Sequence, residues 1–216
     1  MKKTLIFASS MMAAFSAFSQ GTINFNNFLG ATTLRAPIFD VEPGNPTVSK
    51  QGNPSTGAFP VGTTTYGGAL LTGTQFTVQL WGKVGASVPE NQLELLATTT
   101  FRTGTGAGLV NALANTIVPN APLDGTSYKG TFQIRAWNNT GGIANWAAAT
   151  SNPIVPRGVS NLVSPAGDLG GTGTPPAATP TLVGLVGFNL YIVPEPSSIA
   201  LGVLGLGTLM FLRRRK

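Results

Sequence analysis

Residues 75–81 and 128–137 alternate with a period of two, and no long stretch repeats apolar residues at helical spacing. In the first segment Phe76, Val78 and Leu80 fall on one side, with Gln75, Thr77, Gln79 and Trp81 on the other. In the second, Tyr128, Phe132, Ile134 and Ala136 share a side with Gly130, while Lys129, Thr131, Gln133, Arg135 and Trp137 turn the other way. Successive side chains of a strand point to opposite faces, so this pattern predicts half-buried strands with one face on a core. On that reading Phe132 and Ile134 are core residues, and Thr131 and Gln133 are replaceable at little cost. Further strands are expected over 22–28, 93–101, 109–118, 143–148 and 182–192, most of them separated by turn-forming clusters. Many short strands joined by Gly, Pro and Asn predict an all-β fold, a single antiparallel β-sandwich or jelly-roll-like domain.

Two stretches poor in core formers, 41–74 and 158–180, are expected to be long loops. The second is also a candidate spacer between the domain and the membrane, against which 182–192 reads as a closing strand running straight into the C-terminal segment. The sequence contains no cysteine and no histidine, so stability rests on burial, without disulfides. About 174 residues between the two chain ends suit one domain, and a chain of that size buries roughly 70% of its unfolded surface.

Both ends carry address-like patterns. Met1-Lys2-Lys3 is a basic start, residues 4–18 are an apolar run, and Ala17-Phe18-Ser19 places small residues around a large one. This is the pattern of a signal peptide handled by the Sec export machinery and cut by signal peptidase after Ser19, which makes Gln20 the mature N-terminus. The alternative is a retained anchor helix, but fifteen residues that include four serines or threonines are thin for a span that needs about 20 apolar positions. At the other end Val193-Pro194-Glu195-Pro196 precedes an apolar run, 197–212, and then Arg213-Arg214-Arg215-Lys216. Lys and Arg mark cytoplasmic flanks, so the four cations read as a stop-transfer signal for a transmembrane helix over 197–212. Sixteen residues rise about 24 Å against a hydrocarbon core of about 30 Å, a difference that snorkelling arginines can cover. Val193 and Glu195 each precede proline, which favours an extended acidic peptide outside the membrane.

The order of acidic Pro-Glu-Pro, short glycine-bearing apolar run and arginine cluster resembles the PEP-CTERM sorting tail. The resemblance implies an exported protein processed at the motif by exosortase, a membrane enzyme, and a setting at the cell surface or in an exopolysaccharide-rich matrix. An unprocessed C-terminal anchor is the alternative. More weakly, the remainder resembles the β-rich ectodomains of verrucomicrobial-type PEP-CTERM proteins, through Gly21-Thr22-Ile23-Asn24-Phe25-Asn26-Asn27, Ala36-Pro37-Ile38, Gln79-Leu80-Trp81-Gly82, Phe101-Arg102-Thr103-Gly104 and Gln133-Ile134-Arg135-Ala136-Trp137. That resemblance implies no activity. The expected organisation is therefore a signal peptide at 1–19, a β-sandwich domain at 20–192, and a sorting tail at 193–216 with its motif at 193–196.

The overall charge of +6 misleads, because Lys2, Lys3, Arg213, Arg214, Arg215 and Lys216 supply six of the thirteen basic residues. Between Gln20 and Val193 seven cations face six anions, which gives no reason to expect a nucleic-acid partner. Without His or Cys there is no Ser-His-Asp triad, no thiol nucleophile and no imidazole or thiolate metal site. Glu90 and Glu94 are the nearest carboxylate pair of interest for glycosidase chemistry, yet Glu90 sits in a turn and Glu94 between leucines. Asp40-Val41-Glu42-Pro43-Gly44-Asn45 lacks the spacing of a calcium loop and reads as a solvated turn. The expectation is a non-enzymatic protein with no cofactor and no metal. The three tryptophans leave one sharper candidate: Trp81 and Trp137, if exposed, could stack on sugar rings of an exopolysaccharide, against the alternative that they pack in a core.

Overall fold

The computed structural model describes residues 20–122 and 124–193, an all-β arrangement with very little helix. Its centre is the antiparallel pair of β5 (Phe76–Val84) and β8 (Gly130–Asn138), in register from Phe76↔Asn138 to Val84↔Gly130. β6 (Glu94–Thr100) pairs with β5 on one side and β9 (Arg157–Val159) with β8 on the other, giving a four-stranded sheet in the order β6-β5-β8-β9. The alternation read from the sequence places Phe76, Val78, Leu80, Phe132, Ile134 and Ala136 in one buried cluster. Gly82 belongs there because of close packing, since a Cβ at that position would lie 2.4 Å from the Phe132 ring and 2.8 Å from Leu96.

β1 (Gly21–Phe25) pairs antiparallel with β7 (Leu113–Val118), with a register shift between Ile23 and Phe25. Its Gly21, Ile23 and Phe25 are buried and the residues between them half-buried, as period-two alternation requires. A small hairpin, β2 (Phe28–Leu29) with β3 (Leu34–Arg35), follows. β4 (Ile38–Phe39) is then joined in parallel by the last strand, β10 (Phe188–Asn189). That parallel pair departs from the all-antiparallel expectation. It joins residues about 150 positions apart, Ile38 with Phe188 and Phe39 with Asn189, a contact that no local pattern encodes.

Three local expectations need correction. The strand expected over 143–148 is instead the short helix Trp146–Ser151. Asn145 caps it, its side-chain oxygen accepting the Ala148 N–H at 2.8 Å, and three alanines with high helix propensity follow Trp146. Asn145→Ala is expected to lower stability by about 1 kcal/mol in thermal denaturation. Second, the closing strand expected over 182–192 is regular only at its β10 core. Third, β8 is buried on both faces: every residue from Gly130 to Trp137 is buried.

The second face is covered by the segments after β5 and after β8. Thr131 donates its hydroxyl to the Gly85 carbonyl at 2.7 Å and accepts the Val88 N–H at 3.0 Å. Gln133 donates to Ser160 O and accepts from Arg135 Nε at 2.9 Å. These residues tie down the covering loops, so the expectation that they are freely replaceable fails. Thr131→Val keeps the shape but strands a backbone donor and acceptor, and about 1–3 kcal/mol of destabilisation is expected in urea unfolding.

The two long loops are irregular but anchored. In 41–74, Tyr66 stacks on Phe39 with ring centres 4.1 Å apart, and its hydroxyl lies 2.7 Å from Gly52 O and 2.9 Å from Gly187 O. Burial, reinforced by the Glu42 carboxylate, pushes the Tyr66 phenol well above its usual pKa. In 158–180, Leu169 is buried and Gly170 exchanges backbone hydrogen bonds with Thr22 at 3.1 and 2.9 Å. This segment therefore packs on β1 and is not a free spacer.

Candidate functional site

The end of the domain is held from several sides. Asn189 is buried and clamps the long 41–74 loop, accepting the Lys50 N–H at 2.7 Å and donating to Val48 O at 2.9 Å. The Leu190 N–H reaches Phe39 O at 2.8 Å, and Tyr191 exchanges two backbone hydrogen bonds with Arg157, at 2.9 and 3.1 Å. The Ile192 N–H donates to Pro46 O at 2.7 Å. Val193, half-buried, is the last described residue. The motif Val193-Pro194-Glu195-Pro196 thus starts directly where the backbone pairing stops.

Arg157 couples this junction to the short helix. While its backbone pairs with Tyr191, its Nη1 lies within hydrogen-bond distance of Ala149 O (3.0 Å), Asn152 O (3.0 Å) and Val155 O (3.4 Å). A cation at the carbonyl end of a helix satisfies acceptors that the helix leaves unpaired. Nothing in the strand pattern singled out Arg157 or Asn189, although an Arg or Asn at the edge of an apolar strand is a visible cue for a side chain bonded to backbone.

On the covered face of the sheet the tryptophans surround Arg135. Its guanidinium lies 4.1 Å from the Trp81 ring centre and 5.6 Å from that of Trp146, donates through Nε to Gln133, and approaches the Glu90 carboxylate at 3.7 Å. Burial lowers the Arg135 pKa and Glu90 opposes the shift, but a guanidinium stays charged. Trp81 Nε1 donates to Gln79 at 3.1 Å, and Gln79 in turn donates to Thr98 at 3.1 Å. Trp137 has 0% of its surface exposed; its Nε1 donates to Ile143 O at 3.0 Å, and its ring meets Trp146 edge-on at 6.0 Å. A ring with no exposed face cannot stack on a sugar. The platform expected of Trp81 and Trp137 together is therefore absent as a pair, and only Trp81 keeps accessible surface.

Beside this cluster lies an open groove of about 370 Å³, whose lining includes Asn138, Thr140, Ile143, Asn152, Ile154 and Val155. Asn138 Oδ1 accepts the Thr140 N–H at 2.9 Å and Asn152 Oδ1 the Ile154 N–H at 3.2 Å, which leaves both amide NH2 groups as the donors available to a visitor. Ile143 and Val155 pack beneath it against Trp137.

The remaining candidates are engaged separately. Glu94 pairs with Lys83 at 3.0 Å, whereas Glu90 faces Arg135, so the two carboxylates serve different cations. Asp40 accepts the Val41 N–H, and Glu42 accepts the Gly67 N–H and pairs with Lys50 at 3.0 Å, which makes the 40–45 segment a loop clasp. Gln20 is exposed at the start of the described residues. Ala17 and Ser19, expected at the signal cleavage site, the motif residues Pro194 to Pro196, the expected membrane helix and Arg213 to Lys216 all lie outside them. Among the described residues no helix is long and apolar enough to cross a membrane.

Fold and junction together define a β-rich domain fastened directly to a C-terminal address segment. That segment is a PEP-CTERM protein-sorting motif: residues 193–216 match its family model. A motif of this kind implies export and processing by exosortase-type machinery, with passage through the membrane toward the cell surface. No curated protein and no solved structure matches the chain, so the verrucomicrobial resemblance of the ectodomain gains no support from them.

Proposed function

We propose that this is an exported, non-enzymatic protein of the cell surface or extracellular matrix, a single β-sandwich-like domain delivered by its C-terminal sorting signal. The observation that carries this reading is the sorting-motif match over 193–216, which begins at the residue after Ile192, the last residue of the domain with a backbone partner. In this reading the Sec machinery and signal peptidase remove residues 1–19. The apolar run 197–212 holds the chain in the inner membrane until exosortase acts at the motif. The non-enzymatic role is supported by a sequence without His or Cys and by carboxylates already committed to separate cations. Intact mass of the protein from hosts with and without an exosortase gene tests the sorting step. Loss of the tail only where the gene is present supports it, and identical masses would leave a simple unprocessed membrane anchor as the better description.

A second reading, a module binding exopolysaccharide, draws on the groove beside Trp137. Fixed amide donors over an apolar floor suit a neutral polyol, whose hydroxyls accept hydrogen bonds while its CH faces pack on Ile143 and Ile154. Host exopolysaccharide is then expected to change the tryptophan fluorescence of the wild type and to lose that effect in Asn138→Ala/Asn152→Ala. Unchanged fluorescence and no calorimetric heat on titration remove this reading.

A further inference from the structure

We infer that Arg35, flanked by Phe28 and Phe59, is a binding subsite for the carboxylate of an acidic sugar, such as a uronate unit of a polysaccharide. The site stands apart from the groove beside Trp137 and from the sorting tail. Its three residues come from three segments laid side by side. Phe28 of β2 lies opposite Arg35 of β3, and Arg35 forms an antiparallel bridge with Phe59, each N–H donating to the other's carbonyl at 2.9 Å. Residues directly opposite on antiparallel strands share a face, so the two rings stand on either side of the guanidinium. Its carbon lies 5.9 Å from the centre of the Phe28 ring. The neighbours Leu34 and Ala36 are fully buried on the other face, whereas Phe28, Arg35 and Phe59 are only half-buried. The trio therefore looks outward.

Arg35 is the exception among the cations of the domain. Lys50, Lys83, Lys129 and Arg135 pair with carboxylates, and Arg102 and Arg157 donate to backbone carbonyls. Arg35 has no such partner among the described residues, and its Nε is buried with no acceptor. A guanidinium partly withdrawn from water and left unpaired is costly, and an anion removes that cost. Asn26, two residues before Phe28, adds a buried Oδ1 with no donor. A sugar acid carries both complements, a carboxylate for the guanidinium and hydroxyls for an acceptor, and its CH faces suit the flanking rings. Other anions fit less well. Arg35 and Lys50 are the only cations between Gln20 and Gly82, too few for the polybasic surface that a membrane or a nucleic acid requires. The acidic side chains described above are already engaged, Asp40 and Asp124 by backbone N–H groups and the others by cations, which argues against a second copy as the source of the carboxylate.

The test titrates oligogalacturonate into the protein as its host exports it, followed by calorimetry, with dextran of equal length as the neutral probe. Oligogalacturonate is expected to bind and dextran to give no heat. Arg35→Gln should weaken binding at least about tenfold, the order for losing a charge-assisted hydrogen bond, while melting no lower than the wild type because an unpaired cation has been removed. In the wild type the Arg35 Nε–H resonance should shift as oligogalacturonate saturates, a readout that decides the matter even if the variant folds poorly. Asn138→Ala/Asn152→Ala, which alters the other groove, should bind as the wild type does. No heat with oligogalacturonate, equal heat with dextran, or an Arg35 resonance that stays in place at saturation overturns the subsite. Loss of binding in Asn138→Ala/Asn152→Ala with binding kept in Arg35→Gln also overturns it, and moves the sugar to the groove. Each of these results leaves the sorting reading standing, since that is decided by intact mass.

Discussion

Replacing Glu195 or Pro196 by alanine is expected to leave the protein in the inner membrane with its tail uncut, an all-or-none change in mass and in fractionation. The reason lies in what the motif is for. Glu195 carries the only charge of the Val-Pro-Glu-Pro sequence, and the prolines hold the residues before them extended, so the substitutions change what an enzyme recognises. The described backbone pairing ends at Ile192, before the motif begins. The melting temperature of the domain should therefore equal that of the wild type. Wild-type trimming and localisation of either variant would point to an anchor that is never processed.

The second large effect is structural. Trp137→Ala is expected to cost about 3–5 kcal/mol in chemical unfolding of residues 20–193, the range for truncating a fully buried large aromatic. Its ring fills the cluster formed with Ala149, Val155, Ile143 and Trp146, and its Nε1 is the partner of Ile143 O. The loss therefore combines a cavity with an orphaned carbonyl. Trp81→Ala should cost less, since that ring keeps exposed surface and its main contact is the Arg135 guanidinium, worth about 0.5–2 kcal/mol. Equal costs at the two positions would mean that Trp81 is as deeply buried as Trp137.

The same residues show how far local pattern carries. β5, β6, β7 and β8 were legible because period two is a property of neighbouring residues, and Phe76, Val78, Leu80, Phe132 and Ile134 lie in the core as the pattern predicts. The opposite face of β8 was misread. Polar side chains at alternating positions look solvent-facing, yet Thr131, Gln133 and Arg135 are buried because each finds a partner on a loop or neighbouring side chain. Alternation reports polarity, and a satisfied polar group can be buried at little net cost. The stretch 143–148 failed for the opposite reason: the Asn145 cap and the alanine run were visible, and they outweigh a short alternation.

By itself the sequence determined that the chain is β-rich, that its middle is close to neutral, and that it ends in a sorting tail. Strand alternation depends on adjacent residues, net charge is a count, and the address is a linear order of motif, apolar run and cations. Only the tertiary structure decided that Trp137 is core, that Arg157 links the short helix to Tyr191 near the end of the domain, and that backbone pairing runs up to Ile192, next to the sorting motif. Those facts depend on which distant backbone groups meet, as Ile192 meets Pro46 and Tyr191 meets Arg157. Such pairings are set by the packing of the whole domain, because a buried donor takes whichever acceptor the fold brings within reach.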